Sequence, residues 1–227
     1  MAINKIVEAR ADAVSGVKDG STVLISGFGA AGVPTDLIHA LLDQGARDLT
    51  VVSNNAGAGD RGLAALLKEG RVSRIVCSYP RSAGSVAFDE LYAAGKIELE
   101  LVPQGTLSER MRAAGAGIAA FYTPTSVGTQ LAEGKEVREI DGREYVLEYA
   151  LKGDVALVQA EKADRWGNLI YNKSARNFGP VMATAAELTI VEARQIVELG
   201  EIDPEIIVTP GVFVDRVFHV PALAAAA

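Results

Sequence analysis

The 227-residue sequence predicts an α/β fold, a mainly parallel sheet flanked by helices, and three observations carry that prediction. Short apolar runs alternate with helical patterns from Thr22 to Ala114. The runs end in loops at 26–34, 53–60, 78–85 and 103–107. No stretch is rich enough in Pro, Gly or Ser to act as a linker, and no internal repeat is visible. Strands separated by helices at this spacing form βαβ units with right-handed crossovers, and ligands of such sheets gather at the C-terminal ends of the strands.

The elements follow in order. Ile3, Ile6, Val7, Ala11 and Val14 form a helical stripe, so a helix is expected over Ile3 to Val14. Thr22 to Ser26 reads as a short buried strand, and Pro34 to Gln44 as a helix stopped by Gly45. Leu49–Ser53, Arg74–Ser78 and Ile97–Val102 read as strands; Leu63–Glu69, Val86–Ala94 and Leu107–Ala114 read as helices. From Val137 the pattern changes. Val137–Ile140 and Arg143–Leu147 flank Asp141-Gly142, a favoured type I′ turn, which predicts a small antiparallel hairpin insertion. Asp154–Ala160 and Leu169–Asn172 read as strands around a Trp166-Gly167-Asn168 turn. Val181–Ala186 looks helical, Leu188–Val191 and Val197–Leu199 look like strand material, and Val212–Val220 alternates like a late strand. A single domain over 1–221 with an Ala-rich tail at 222–227 is the economical division.

Composition excludes several classes of function. A net charge of −7 with no long basic stripe argues against nucleic-acid binding. No apolar run approaches a membrane span, and the first residues lack the apolar core of a signal peptide. A single cysteine allows no internal disulfide and fits a reducing cytoplasm. Two histidines and one cysteine are too few for a Cys/His zinc site, so no metal is expected. His39 and His219 each stand alone and are expected to be structural or surface residues. Cys77, ending a strand with no histidine near it, is expected to be a buried small hydrophobe.

The stretch that most invites a functional reading is Ser26-Gly27-Phe28-Gly29-Ala30-Ala31-Gly32-Val33-Pro34. Glycines at a strand-to-helix turn let backbone N–H groups approach a ligand closely, and a helix N-terminus behind them favours anions. The spacing Gly27-x-Gly29-x-x-Gly32 also fits a dinucleotide fingerprint. That fingerprint needs an acid about twenty residues on, to hold the ribose hydroxyls. The sequence offers Ser53-Asn54-Asn55 instead, so a NAD site is not expected. Glycines that only allow close helix–strand packing are the plainer alternative.

Asp19 to Pro34 resembles the glycine-rich segment of the alpha chain of family I 3-oxoacid CoA-transferases. The likeness continues in Ser53–Gly57, Pro103–Leu107, Ala120–Thr125, Lys162–Leu169 and Ser174–Phe178, in family order over nearly the whole chain. Ser26 departs from the pattern, standing where the family usually has a first glycine, and its side chain could tighten the turn. The resemblance implies the CoA-transferase (ribose-phosphate-isomerase-like) fold and transfer of CoA from succinyl-CoA to a 3-oxoacid. The attacking group would be a glutamate in a Ser-Glu-Asn-Gly segment of the B subunit, holding CoA as a glutamyl thioester. No such segment occurs in this sequence, so the resemblance implies half of an enzyme, active only with its B subunit in an α2β2 assembly. CoA and acyl-CoA would be substrates, with no permanently bound cofactor.

Residue roles follow from the same resemblance. Ser26, Gly27, Phe28, Gly29, Ala30, Ala31 and Gly32 would bind CoA or shape the thioester pocket. Asn54 and Asn55 would line the acyl pocket, and Gln104 would point at the reacting carbonyl from a strand end. Against this, an amide in a loop commonly serves an Asx turn. Lys162, Arg165, Lys173 and Arg176 form a basic cluster that could meet CoA phosphates, a carboxylate, the partner or solvent. Trp166 and Phe178 read as core or interface anchors. Cys77–Arg81, Phe88–Tyr92 and Asp164–Asn168 look closer to bacterial enzymes acting on 3-oxoadipate, from aromatic-compound breakdown, than to those acting on acetoacetate. A dicarboxylic acceptor needs a cation for its far carboxylate, and Arg81 is the candidate. The competing readings are one half of an acetoacetate- or butyrate-type transferase, a sugar-phosphate isomerase acting alone, and a non-catalytic acyl-CoA sensor.

Overall fold

The structure, a computed structural model, describes residues 3–220; the Ala-rich tail expected at 222–227 lies outside the described residues. The first half alternates as the pattern requires: β1 (Ile6–Val7), α1 (Arg10–Ala13), β2 (Thr22–Ile25), α2 (Thr35–Gln44), β3 (Leu49–Asn55), α3 (Leu63–Lys68), β4 (Val72–Tyr79), α4 (Val86–Ala93), β5 (Glu98–Leu101) and α5 (Gln104–Gly115). A three-stranded piece follows, β6 (Ala120–Thr123), β7 (Val137–Ile140) and β8 (Arg143–Tyr149). The chain then returns through β9 (Gly153–Asp164), β10 (Leu169–Ile170), α6 (Gly179–Thr184), β11 (Ala186–Val197) and β12 (Arg216–His219).

The main sheet has the order β1-β12-β11-β9-β2-β3-β4-β5, with β10 off this path on β9. Every pairing along the path is parallel, and only β10 runs antiparallel to β9. Both faces are covered, which is why the strands read as continuous apolar runs. Val23, Ile25, Val51, Ile75 and Cys77 pack on one face with residues of α1 to α4. Leu24, Val52, Val76, Ala156 and Val158 pack on the other with Leu107, Met111 and Met182 of α5 and α6. The predicted hairpin is present as β7–β8, its Asp141-Gly142 turn at φ 51° and 76°, and β6 joins it to make a separate antiparallel sheet.

Three expectations are corrected. The stripe from Ile3 to Val14 is not one helix: Ile6 and Val7 pair with Val217 and Phe218 of β12, leaving only Arg10–Ala13 helical. Leu188–Val191 and Val197–Leu199 are not separate pieces, because β11 runs unbroken through Glu192 and Arg194. Gln104 does not end a strand: it is the first residue of α5, behind Pro103. In the first two cases a strand pairing distant in sequence overrides the local pattern, whereas Gln104 opens a helix locally, with Pro103 O accepting from Leu107 N–H.

The order of the sheet fixes where ligands can bind. Strands β3, β4 and β5 lie on one side of β2, and β9 and β11 on the other, so the chain reverses direction of travel across the β9–β2 pair. Crevices open beyond the strand ends at such a point.

Candidate active site

The glycine loop leaves β2 at this switch point, and its root is fastened from several sides. The buried Ser26 hydroxyl donates to Gly32 O (2.7 Å) and accepts from the N–H of Gln159 on β9 (3.2 Å), drawing the loop's two ends together. Asn177, held at φ 20°, accepts from Gly27 N–H (3.0 Å) through Oδ1. Its Nδ2 donates to Ala31 O and Ala175 O, both at 3.0 Å. Phe28 and Ala31 exchange backbone hydrogen bonds across the loop tip. The N–H groups of Gly29 and Ala30 have no hydrogen-bond partner among the described residues, and both residues are exposed.

Helix α2 begins just behind the loop, but its N-terminal donors are occupied. Glu192, fully buried on β11, accepts from Asp36 N–H (2.9 Å) and Leu37 N–H (3.3 Å) through one carboxyl oxygen. The other oxygen has no hydrogen-bond partner, and the nearest cation is Arg194 at 3.8 Å. Burial pushes the Glu192 carboxyl up to about 7. The anion-favouring end of α2 therefore serves an internal side chain, and the loop amides are what remains for a ligand.

Two adjoining cavities lie along the outer side of the loop. One, of about 500 Å³, has walls from Ile25, Gly27, Gly29, Val33, Asn55, Arg61, Leu63 and Ala83. The other, of about 460 Å³, is bounded by Phe28, Gly29, Asn54, Asn55, Ser78, Tyr79, Ser82 and Gln104. Gly29, Asn55 and Ser82 border both. Each is within the size range of small-molecule sites. Gln104 Nε2 donates to Asn54 Oδ1 (2.6 Å), so the ends of β3 and α5 present one joined pair of amides. That bond leaves Gln104 Oε1 and the Asn54 amide N–H groups open to a ligand. Asn55 Oδ1 accepts from Gly57 N–H (2.9 Å), an Asx turn that occupies its oxygen and leaves its amide nitrogen. No Asp, Glu, Cys or His lies on the walls of either cavity.

A third cavity, of about 320 Å³, lies on the opposite side of the loop, between Ala30–Val33 and Gln159, Glu161, Lys173 and Arg194. Of the basic cluster, Lys173 borders this third cavity. Arg165 donates to Ile3 O (2.7 Å) and holds the N-terminal segment, and Lys162 and Arg176 lie outside the three cavities. Trp166 is half exposed at a turn made by Asp164, whose carboxylate accepts from Trp166 N–H and Asn168 N–H; Phe178 is buried. Cys77 is wholly buried, and its thiol is pushed up to about 12 by that burial. His39 Nε2 accepts from Gly62 N–H (3.0 Å), a structural role, and His219 is exposed at the end of β12.

Arg81 does not reach either cavity wall. Its guanidinium donates to Asp89 on α4 (2.7 Å) and lies 5.9 Å from the Tyr92 ring centre. Arg61, which carries no local sequence signal, lines the larger cavity. Asn177 lies in the Ser174–Phe178 segment of the resemblance, which implies no role for it, and it braces the glycine loop. Only the folding of distant segments onto the loop brings either fact into view.

Parallel strands ending in a glycine loop, whose Gly29 borders the same cavity as a pair of joined amides, define an α/β protein suited to hold an acyl or carboxylate oxygen. The chain belongs to the coenzyme A transferase family, whose model matches residues 7–219. It is 62% identical over 98% of its length to the alpha chain (A) of 3-oxoadipate CoA-transferase from Pseudomonas putida, covering 96% of that protein. It is 46% identical over 95% of its length to the corresponding chain of succinyl-CoA:3-ketoacid coenzyme A transferase from Helicobacter pylori, covering 92% of that protein. Its fold matches an acyl-CoA transferase of Escherichia coli O157:H7, solved as a thioester complex with CoA, at a TM-score of 0.86 and 24% identity. That match covers 97% of this chain and 50% of the longer solved chain.

Proposed function

We propose that this chain is the alpha half of a transferase that moves CoA from succinyl-CoA to 3-oxoadipate, with a B subunit supplying the attacking glutamate. The observation that carries the proposal is the make-up of the two outer cavities: backbone and amide donors converge there, while the walls hold no carboxylate or thiol to attack a thioester. A carboxylate is a weak nucleophile, so its attack on a thioester depends on donors already aimed at the developing oxyanion. The Asn54 amide N–H groups and the second N–H of Gln104 Nε2 would supply those donors at the reacting carbonyl. The free N–H groups of Gly29 and Ala30 would hold the CoA arm, with Phe28, Ala31 and Gly32 shaping the loop around it. Ser26 and Gly27 would act by keeping the loop's root closed. Asn55, bordering both cavities, would contact the acceptor. CoA and acyl-CoA enter as substrates, and no resident cofactor is invoked.

The higher identity to the 3-oxoadipate enzyme than to the 3-ketoacid one supports the dicarboxylic acceptor. An acceptor such as acetoacetate is the second reading. We place the assembled enzyme, as α2β2, in the cytoplasm, which fits the single buried cysteine; among the described residues no helix is long and apolar enough to cross a membrane. The test is to purify this chain alone and together with a B subunit, and to follow CoA transfer from succinyl-CoA to 3-oxoadipate. Activity in the co-purified pair and none in either chain is expected. Turnover by this chain alone would overturn the split site.

A further inference from the structure

We infer that Arg61, rather than Arg81, recognises the far carboxylate of the acceptor, an inference that rests on the dicarboxylic reading above. Arg61 lines the larger cavity, and among the described residues its side chain makes no hydrogen bond or ion pair. Arg81 is the reverse: its guanidinium is engaged by Asp89 and lies outside both cavities.

The two cavities have a polarity that suits one extended acid. The amide pair of Asn54 and Gln104 lies at the smaller cavity, where the reacting carboxylate would be held. Gly29, Asn55 and Ser82 form the shared border. Beyond it the larger cavity offers Ile25, Val33 and Leu63 as apolar wall for a short methylene chain, and Arg61 as its only charged group. A carboxylate there neutralises an unpaired guanidinium, and the planar fork of arginine can grip it through two N–H groups. A monocarboxylic 3-oxoacid would leave Arg61 without a partner.

The backbone around Arg61 is also fixed. Gly62, the next residue, donates its N–H to His39 on α2 (3.0 Å), and α3 starts immediately afterwards at Leu63. The exposed Arg61 side chain thus extends from backbone that is tied on its C-terminal side.

The experiment uses the co-purified A/B pair and compares kcat/KM for 3-oxoadipate and acetoacetate in wild type, Arg61→Met, Arg61→Lys and Arg81→Met. Loss of a charged hydrogen-bonding partner is expected to lower the 3-oxoadipate-to-acetoacetate ratio of Arg61→Met by roughly 10- to 100-fold, mainly through the KM for 3-oxoadipate. Arg61→Lys should recover part of that ratio, and Arg81→Met should keep the wild-type ratio. Thermal melting of each pair separates lost selectivity from lost folding. An Arg61→Met pair that keeps the wild-type ratio overturns the inference and leaves the acceptor reading standing. So does an equal loss on both acceptors, or a raised KM for succinyl-CoA in place of the acceptor. A wild-type pair that does not prefer 3-oxoadipate overturns the acceptor reading, and the role of Arg61 falls with it.

Discussion

Gly29 and Gly32 belong to the same short loop, both with backbone in the left-handed region (φ 60° and 72°), yet their surroundings are opposite. A Cβ at Gly32 would lie 2.3 Å from Ala175 O and 2.5 Å from Asn177 Nδ2. A Cβ at Gly29 would meet nothing within 4 Å. The root of the loop is packed and hydrogen-bonded against the returning half of the chain, whereas the tip is open and carries the free N–H groups. Rigidity at the root is what makes an open tip useful, since donors that are already aimed need no reorganisation when charge develops. Close packing accounts for Gly32, then, and leaves Gly29 to be explained by what approaches the loop from outside.

The largest effect that would test this contrast is expected from Gly32→Ala. The new methyl must displace backbone of the segment before Asn177 while adopting an unfavourable φ, a combined cost of about 2–5 kcal/mol. For a chain of this size that is a fall of roughly 5–15 °C in Tm, measurable by thermal unfolding of the A/B pair. A stable Gly32→Ala protein would mean that the root is looser than its contacts imply.

Glu192 supplies the next effect, through pH. Its carboxyl is raised by burial from an ordinary 4.5 to about 7, so between those values the folded chain holds a proton that the unfolded chain has released. Folding stability is therefore fullest below about 4.5 with respect to this group, and declines as pH rises toward about 7. At 1.36 kcal/mol per pK unit the loss is about 3 kcal/mol. Glu192→Gln cannot ionise, and it is expected to flatten this decline in denaturant titrations run from pH 5 to 8. An unchanged slope would show that the carboxyl ionises at its ordinary value despite its burial.

Much of this arrangement was legible in the sequence, and the rest was hidden for identifiable reasons. Apolar runs alternating with helical patterns marked the parallel sheet, and parallel sheets direct their ligand loops to one edge. The loop after β2, the ends of β3 and β4 with the loops that follow them, and the start of α5, where a loop was expected at 103–107, meet there. Asn54, Asn55 and Gln104 were readable as a set because each stands at or just past a strand end. What sequence could not show was which partner each group would meet. Glu192 looked like an interruption in strand material because its function is to cap a helix 156 residues away in sequence. Ile6 and Val7 fitted a helical stripe because β12, their partner, lies at the other end of the described chain. Arg81 stood beside a strand end and so drew attention, while Arg61 sat among small loop residues with no local signal. The charge balance between Arg81 and Asp89 emerges only when α4 folds back beside the loop.

A smaller loss is expected from Ser26→Ala. The hydroxyl both donates to Gly32 O and accepts from Gln159 N–H, so its removal leaves buried backbone groups unpaired at a cost of about 2 kcal/mol. The pair should melt a few degrees lower, and its KM for succinyl-CoA should rise as the loop root loosens. Unchanged melting would show that β9 and the loop are held together without this bridge.

The smallest stability change, and the sharpest test of the contrast, belongs to Gly29→Ala. Only the unfavourable φ opposes it, about 1 kcal/mol, because no neighbour stands within 4 Å of the new methyl. The methyl would instead project from the exposed tip, beside the free N–H groups and on the border of both outer cavities. Activity and stability should therefore separate: a Tm within about 4 °C of wild type, with kcat/KM for succinyl-CoA reduced about tenfold or more by hindered approach to the loop amides. Gly32→Ala should show the opposite balance, with melting affected first and activity following the folded fraction. If Gly29→Ala keeps full activity, the tip amides do not contact the CoA arm, and Gly29 serves only the left-handed turn of the loop backbone.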